Sequence, residues 1–208
     1  MSFDNSIRPS VMEMMGYTNL EALAPPHETV TEVVTSLRSR PNVVSGPTTY
    51  GRGDRKACNS FLKFGIQDGD LQFTRKVEEA IGRHPFPLHQ GPVIVQSSNL
   101  PSNWNIHAAH PCQKGVSMFR SVSGNLERGV TTLKLYPLSH NVSSTEFAQE
   151  RGTPQTFDLK STDVLFVRGA IKMEISVPAG GFFVWQGFSK NPWGKDPAAC
   201  EAPAFMKI

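Results

Sequence analysis

The chain has 208 residues and the composition of an ordinary globular protein, with 38% hydrophobic and 19% charged residues. The net charge of +3 is small, and the basic residues form no stripe interleaved with aromatic residues, so we expect no nucleic-acid partner. No hydrophobic run approaches the roughly 18 residues that a membrane-crossing helix needs, so we expect no membrane partner. The three cysteines are widely spaced, which argues against a disulfide framework. The N-terminal stretch lacks the pattern of a secretory signal, so we expect a cytoplasmic protein with reduced thiols.

The first 90 residues are expected to form helices and loops. Thr29 and Glu32 form a possible capping box, and the valines and leucine that follow recur at helical spacing, which predicts a helix near 28–39. A second helix is predicted near 70–82, where Asp70 can cap its start and a glycine and a proline can end it.

The pattern changes at about residue 91, where short β-prone runs begin. Gly, Pro, Ser and Asn separate these runs, as in a β-sandwich or barrel. The sequence therefore predicts a mainly β (α+β) protein with a jelly-roll core and N-terminal helices packed outside it. We expect one domain, with a helical part at 1–90, a β core at 91–190 and a tail at 191–208. The runs are residues 92–97, 115–122, 130–138, 155–159, 163–169, 171–177 and 181–188.

Two segments of the β half resemble a known enzyme family. Residues 129–141, GVTTLKLYPLSHN, resemble the strand of phytanoyl-CoA dioxygenase-like proteins that ends in Pro-Gly-Ser-His. Residues 161–175, STDVLFVRGAIKMEI, resemble the strand pair that begins with Gly-Asp in the same proteins. The resemblance covers residues 90–190 and implies the double-stranded β-helix of the iron(II) and 2-oxoglutarate-dependent oxygenases.

The resemblance implies a metal site that this sequence does not reproduce. In the family, a His-x-Asp/Glu pair and a distant histidine bind iron and leave positions open for cosubstrate and oxygen. Here His107-Ala108-Ala109 matches the pair without its carboxylate, and His110-Pro111-Cys112 matches it with cysteine in place of aspartate. Counting from Asp163, the distant histidine falls near Met173 or Glu174. Thioether sulfur suits softer metals than iron(II), whereas a glutamate can bind iron.

Several arrangements of the altered site stay open at this stage. A rebuilt metal site would use His107, His110 and Glu174. A His-x-Ala pair is also the arrangement in which a halide replaces the carboxylate, although it still needs a distal histidine. The arrangement that we favour has lost the metal and kept the cavity. Both histidines are equally compatible with hydrogen-bonded loop positions, and Cys112 with a small buried residue instead of a nucleophile.

The resemblance also implies residues that contact a substrate. A basic residue binds the far carboxylate of 2-oxoglutarate in the family, and Lys190 is the better match here, with Arg168 a weaker one. Trp185 and Gln186 lie on opposite faces of a strand whose two faces are both largely apolar, so we expect that strand to be covered on both sides. Trp185 is expected to form an apolar wall, and Gln186 is a candidate hydrogen-bonding group.

Strand alternation places Glu174 on the face opposite Met173. Because the family's ligand points into the barrel, we expect Glu174 to do so, at an open end of the barrel that is also lined by His107 and Lys190. The sequence thus favours a small-molecule enzyme without the usual iron and with no cofactor. Its substrate would be largely hydrophobic, and His107, His110 and Glu174 would catalyse isomerisation, cyclisation or hydration by acid-base or electrostatic means. The alternatives are an iron(II) and 2-oxoglutarate-dependent oxygenase with a rearranged metal site and a non-catalytic small-molecule-binding protein.

Overall fold

Two antiparallel β-sheets packed face to face form the protein in a computed structural model. The strands are β1 (Tyr17–Glu21), β2 (Thr48–Tyr50), β3 (Leu88–His89), β4 (Val93–Gln96), β5 (Ser102–Ala108), β6 (Val116–Ser121), β7 (Thr132–Tyr136), β8 (Gln155–Asp158), β9 (Asp163–Arg168), β10 (Lys172–Val177) and β11 (Phe182–Ser189). The structure describes residues 15–21, 26–38, 48–50, 56, 58, 62, 88–89, 92–97, 101–113, 115–121, 130–160 and 163–189.

The topology is that of a jelly roll, as the sequence predicts. The larger sheet has the order β1-β9-β6-β11-β4-β2, with β3 also paired to β11, and the smaller sheet has the order β5-β10-β7-β8. From β4 to β11 the chain crosses from one sheet to the other at every step except β7 to β8. This winding brings strands that are distant in sequence together, so that β6 lies between β9 and β11.

All seven β-prone runs of the sequence are strands in the structure. Alternation is the reason, because each run has inward-facing apolar residues that a two-residue period places on one face. The strand β5 is missing from the sequence prediction, since its stretch SNWNIHA contains two asparagines and a serine and has weak β propensity. It owes its extended form to pairing with β10 along its length.

The space between the sheets is filled by apolar side chains. Leu133, Leu135, Met173, Ile175 and Val177 come from the smaller sheet and face a matching set from the larger sheet, which includes Phe119, Leu165, Phe183 and Trp185. All of these residues are buried. We call this space the sheet interior.

The outer face of the larger sheet is covered by helix α1 (His27–Arg38), as expected of an N-terminal helix. Val33 and Leu37 are buried there against Val184 and other residues of β11 and its neighbours. The helix begins two residues before Thr29, so Thr29 lies inside its first turn and does not cap it. The helix predicted at 70–82 lies outside the described residues.

Two short helical segments follow β7. A 3-10 turn spans Ser139–Asn141, and helix α2 spans Ser144–Gln149 with a complete capping box between Ser143 and Glu146. Helix α2 places Phe147 edge-on against the ring of Tyr136, with ring centres 5.1 Å apart. None of the described helices is long and apolar enough to cross a membrane.

The turn between β9 and β10 depends on Gly169. Its amide donates a hydrogen bond to the carbonyl of Gly115 at 2.7 Å, so the turn lies directly against the loop that follows β5. A Cβ atom at this position would lie 2.1 Å from the backbone oxygen of Cys112, which cannot move aside as a side chain can. Only glycine therefore allows this close approach, which joins the end of β5 to the start of β10.

Candidate functional site

A β-bulge turns His107 toward the sheet interior. Between Trp104 and His107, β5 has one residue more than the facing part of β10, which runs from Ile175 to Met173. Such a bulge re-aims the side chains that follow it. Because directly paired residues of an antiparallel sheet share a face, His107 lies on the same face as its partner Met173, which belongs to the interior core.

The His107 ring has a defined neutral form. Its Nδ1 lies 2.7 Å from the backbone oxygen of Asn105, and a carbonyl only accepts, so Nδ1 carries the proton. Burial lowers the pKa of His107 to about 4, and the ring is therefore neutral near pH 7. The other nitrogen, Nε2, carries the lone pair of the neutral ring. This atom is buried and has no hydrogen-bond partner among the described residues.

The residues next to His107 in the interior are apolar where the family resemblance implies ligands. Met173 is fully buried and pairs with His107, and Ala109 is fully buried in the same core. The amide of Ala109 donates to the carbonyl of Ile171 at 2.8 Å, which fixes it two residues from Met173 along β10. The structure thus brings His107, Ala109 and Met173 together on the interior face.

His110 lies on the loop after β5 and is completely buried. The amide of Cys112 donates to its Nδ1 at 2.9 Å, so the proton of the neutral ring is on Nε2. A Cβ atom on Gly187 would lie 2.8 Å from this Nε2, so the ring is packed over the backbone of β11. The contact with Cys112 goes through the backbone amide, which gives no support to a thiol activated by His110.

Trp185 is buried in the interior, and its ring centre is 6.2 Å from that of His110. The indole Nε1 donates to Ser117 Oγ at 2.9 Å, and that hydroxyl donates in turn to the carbonyl of Ala109. A buried polar chain therefore ties β11 and β6 to the segment after β5. Ser117 is not among the residues that the sequence predicts for the site, because a lone serine in a strand carries no signal of a tertiary partner.

The side chain of Glu174 lies on the other face of the smaller sheet, contrary to the expectation that it points into the barrel. The reason is strand alternation, since its neighbours Met173 and Ile175 face the interior. Glu174 accepts a hydrogen bond from Tyr136 at 2.5 Å and lies 3.7 Å from the ammonium group of Lys134. Burial and this hydrogen bond raise the pKa of Tyr136 to about 12.

Two of the proposed contact residues lie on the outer face of the larger sheet. Gln186 is fully buried there between Val184 and Phe188, and neither its oxygen nor its nitrogen has a hydrogen-bond partner among the described residues. Arg168 pairs with Val116, a residue of the same outer core, and is half-buried. As expected, the strand β11 that carries Gln186 is covered on both faces. Lys190 lies outside the described residues.

The described residues do not fit an iron site of the family's kind. Glu174 is on the opposite face from His107, so His107, His110 and Glu174 do not converge. Within the described residues, no group of three or more His, Cys, Asp and Glu side chains could hold a metal ion. Nor is any inward-facing residue of β11 from Phe183 to Gly187 basic, so the described part of this strand offers no partner for a 2-oxoglutarate carboxylate.

Solved structures of an epimerase, a carbocyclase and the protein HygX share this fold. The epimerase SnoN, bound to Fe3+, alpha ketoglutarate and nogalamycin RO, superposes with a TM-score of 0.55 at 11% identity over 86% of this chain and 80% of that chain. The alpha ketoglutarate-dependent carbocyclase SnoK superposes with a TM-score of 0.53 at 12% identity over 85% and 80% of the two chains. HygX from Streptomyces hygroscopicus, bound to nickel, 2-oxoglutarate and hygromycin B, gives a TM-score of 0.57 at 11% identity over 86% and 84%.

The fold is therefore that of the iron and 2-oxoglutarate-dependent enzymes, as the sequence resemblance implies. At these identities the likeness shows the fold alone. No protein-family model matches the chain, and no curated protein matches it.

Proposed function

We propose that this chain is a small-molecule enzyme that uses the jelly-roll fold without the usual iron site. The observation that carries the proposal is the trio His107, Ala109 and Met173 in the sheet interior. One imidazole is kept where the sequence resemblance implies a metal ligand, while the residues at the implied carboxylate and second-imidazole positions are apolar. A hard divalent ion such as iron(II) has one suitable donor there, which is too few for a stable site.

His107 and His110 would supply complementary hydrogen bonds to a substrate. Nε2 of His107 accepts, because its ring proton is on Nδ1, and Nε2 of His110 donates, because its Nδ1 is occupied as an acceptor. With a pKa of about 4, His107 is neutral near pH 7, so its Nε2 lone pair would take the proton next to a substrate carbonyl and return it to that carbon or a neighbouring one. His110 would donate to the carbonyl oxygen and stabilise the negative charge that develops there.

The apolar surroundings favour a largely hydrophobic substrate with one or two polar groups. Met173, the strand partner of His107, belongs to the same core as Trp104 and Phe183, and Trp104 meets Phe183 edge-on with ring centres 6.2 Å apart. Sites of this composition bind organic molecules and orient them with few polar contacts. Isomerisation and cyclisation fit this chemistry, and the relatives of this fold include an epimerase and a carbocyclase.

The second candidate is an iron and 2-oxoglutarate-dependent oxygenase with a rearranged site. One observation favours it, because a metal-bound histidine usually donates its other ring proton to a carbonyl or carboxylate, as His107 does to Asn105. In that case Lys190 would be the partner of the cosubstrate.

The test uses a panel of hydrophobic hydroxyketones in deuterium oxide with EDTA present. We expect the protein to exchange the proton next to the carbonyl, as followed by NMR, and His107→Gln to lose this exchange. Glu174→Gln serves as the matched control and should keep it, because Glu174 lies on the other face of the sheet. Exchange that required iron(II) and 2-oxoglutarate would favour the oxygenase. Compounds that bind without exchange would favour a binding protein and overturn the proposal.

A further inference from the structure

The pair His107 and Met173 has the donor atoms of a site for a soft monovalent cation. One is an imidazole nitrogen and the other a thioether sulfur, and they come from directly paired residues on one face of the smaller sheet. Sulfur donors of this kind select copper(I) over iron(II), and imidazole also suits copper. We propose that the His107–Met173 pair binds copper(I) in the sheet interior when no substrate is present, because the ion and a substrate would use the same Nε2 lone pair of His107.

The dimensions of a paired site suit one ion with two donors. Directly opposed residues of an antiparallel sheet have Cβ atoms about 4.5–5.5 Å apart, and both side chains leave the sheet in the same direction. Bonds of about 2.0 Å to nitrogen and about 2.3 Å to sulfur, as for other filled-shell ions, let one ion bridge such a pair. A filled d shell imposes no preferred angle, so two donors in a line are sufficient for copper(I).

The His107 ring is in the neutral form that a metal ligand needs, with a lone pair on Nε2. Nε2 is buried with no hydrogen-bond partner among the described residues, which is costly for a polar atom unless something binds it. Nδ1 is fixed by the Asn105 carbonyl, so the lone pair on Nε2 is always available. The low pKa of about 4 also removes competition from protons at neutral pH.

The environment favours an ion of low charge. Met173 is fully buried, and its neighbours in the interior are apolar, among them Ile171, Ile175 and Trp185. A divalent ion without an anionic ligand pays a large desolvation cost in such a place, and that cost falls steeply with charge. The apolar surroundings therefore favour copper(I) over iron(II) at this pair.

The test follows the methionine methyl groups by NMR while copper(I) is added without oxygen. The chain has seven methionines, and Met173→Leu identifies the signal of interest while conserving side-chain volume. The three cysteines would also bind copper(I), so the titration continues to one equivalent of copper(I) more than the number of cysteines. We expect the Met173 methyl signal to shift, and the signal of Met118, a buried methionine on the outer face of the larger sheet, to stay unchanged.

Variants decide which residues hold the ion. His107→Gln should abolish the Met173 shift and weaken copper(I) binding about tenfold or more in competition with a coloured chelator. Met118→Leu should leave both unchanged. A Met173 signal that does not move after the cysteines are saturated would overturn the proposal, as would a shift that persists in folded His107→Gln. Both readouts are taken without substrate, so their failure is separate from failure of the proposed reaction.

Discussion

Two ligands added beside His107 should convert the sheet interior into a site for a divalent metal. The variant Ala109→Asp, Met173→His would place a carboxylate and a second imidazole beside His107, on positions that the structure brings together. Two imidazoles and one carboxylate on one face are the donors that nickel(II) and iron(II) accept. Nickel(II) is the better probe, because it avoids oxidation during the measurement.

The magnitude follows from binding linkage. Without metal, a buried unpaired carboxylate costs several kcal/mol, so we expect a lower melting temperature than that of the wild type. Nickel(II) at a concentration of about 100 times its Kd stabilises the folded state by about 2.7 kcal/mol. For a chain of this size, that free energy corresponds to a rise of about 5–10 °C in melting temperature. The wild type should show no comparable rise.

The control is the variant Ala109→Asp, Glu174→His. It introduces the same two residue types, but its new imidazole lies one position further along β10 and therefore on the other face of the sheet. Calorimetric titration with nickel(II) and thermal melts of both variants complete the assay. Equal stabilisation of the control would refute the assignment of Met173 to the ligand position. A folded double variant with no gain would refute the idea that these three positions still form a metal-binding geometry.

Three further outcomes are expected. Gly169→Ala should lower the free energy of unfolding by about 1–3 kcal/mol in urea titration, because its Cβ would overlap a backbone oxygen, whereas Gly152→Ala has open space and should change it by less than about 0.5 kcal/mol. The unfolded imidazole of His107 titrates near 6.5 and the folded one near 4, so the unfolded state binds more protons between these values. Stability should therefore fall as the pH is lowered from 6.5 toward 4, and His107→Gln should flatten this dependence. Tyr136→Phe should cost about 1 kcal/mol through its lost bond to Glu174, seen as an earlier urea midpoint, and an unchanged midpoint would contradict that contact.

The sequence by itself determined the β core, because alternation of apolar residues needs no knowledge of the partner strand. In the run 171–177, for example, every second residue is apolar and faces inward, and this two-residue period predicts a strand there. The sequence also determined which ligand-type residues are present. Its His-x-Ala at His107 and the two candidates for the distal position, Met173 and Glu174, follow from reading the residues alone.

The tertiary structure decided which face each of these residues occupies. Counting from Asp163 gave Met173 and Glu174 as candidates, and the family resemblance favoured Glu174 as the residue that points inward. Pairing with β5 and β7 shows instead that Met173 is the interior residue. The bulge that aims His107 inward depends on a register between two strands about 65 residues apart in sequence, which no local pattern encodes. Gln186 and Trp185 are adjacent in the chain, yet the sheet assigns one to the outer core and the other to the interior. The pairing register of the strands decides which residues meet in a candidate site of this kind, and the packing of the whole fold sets that register.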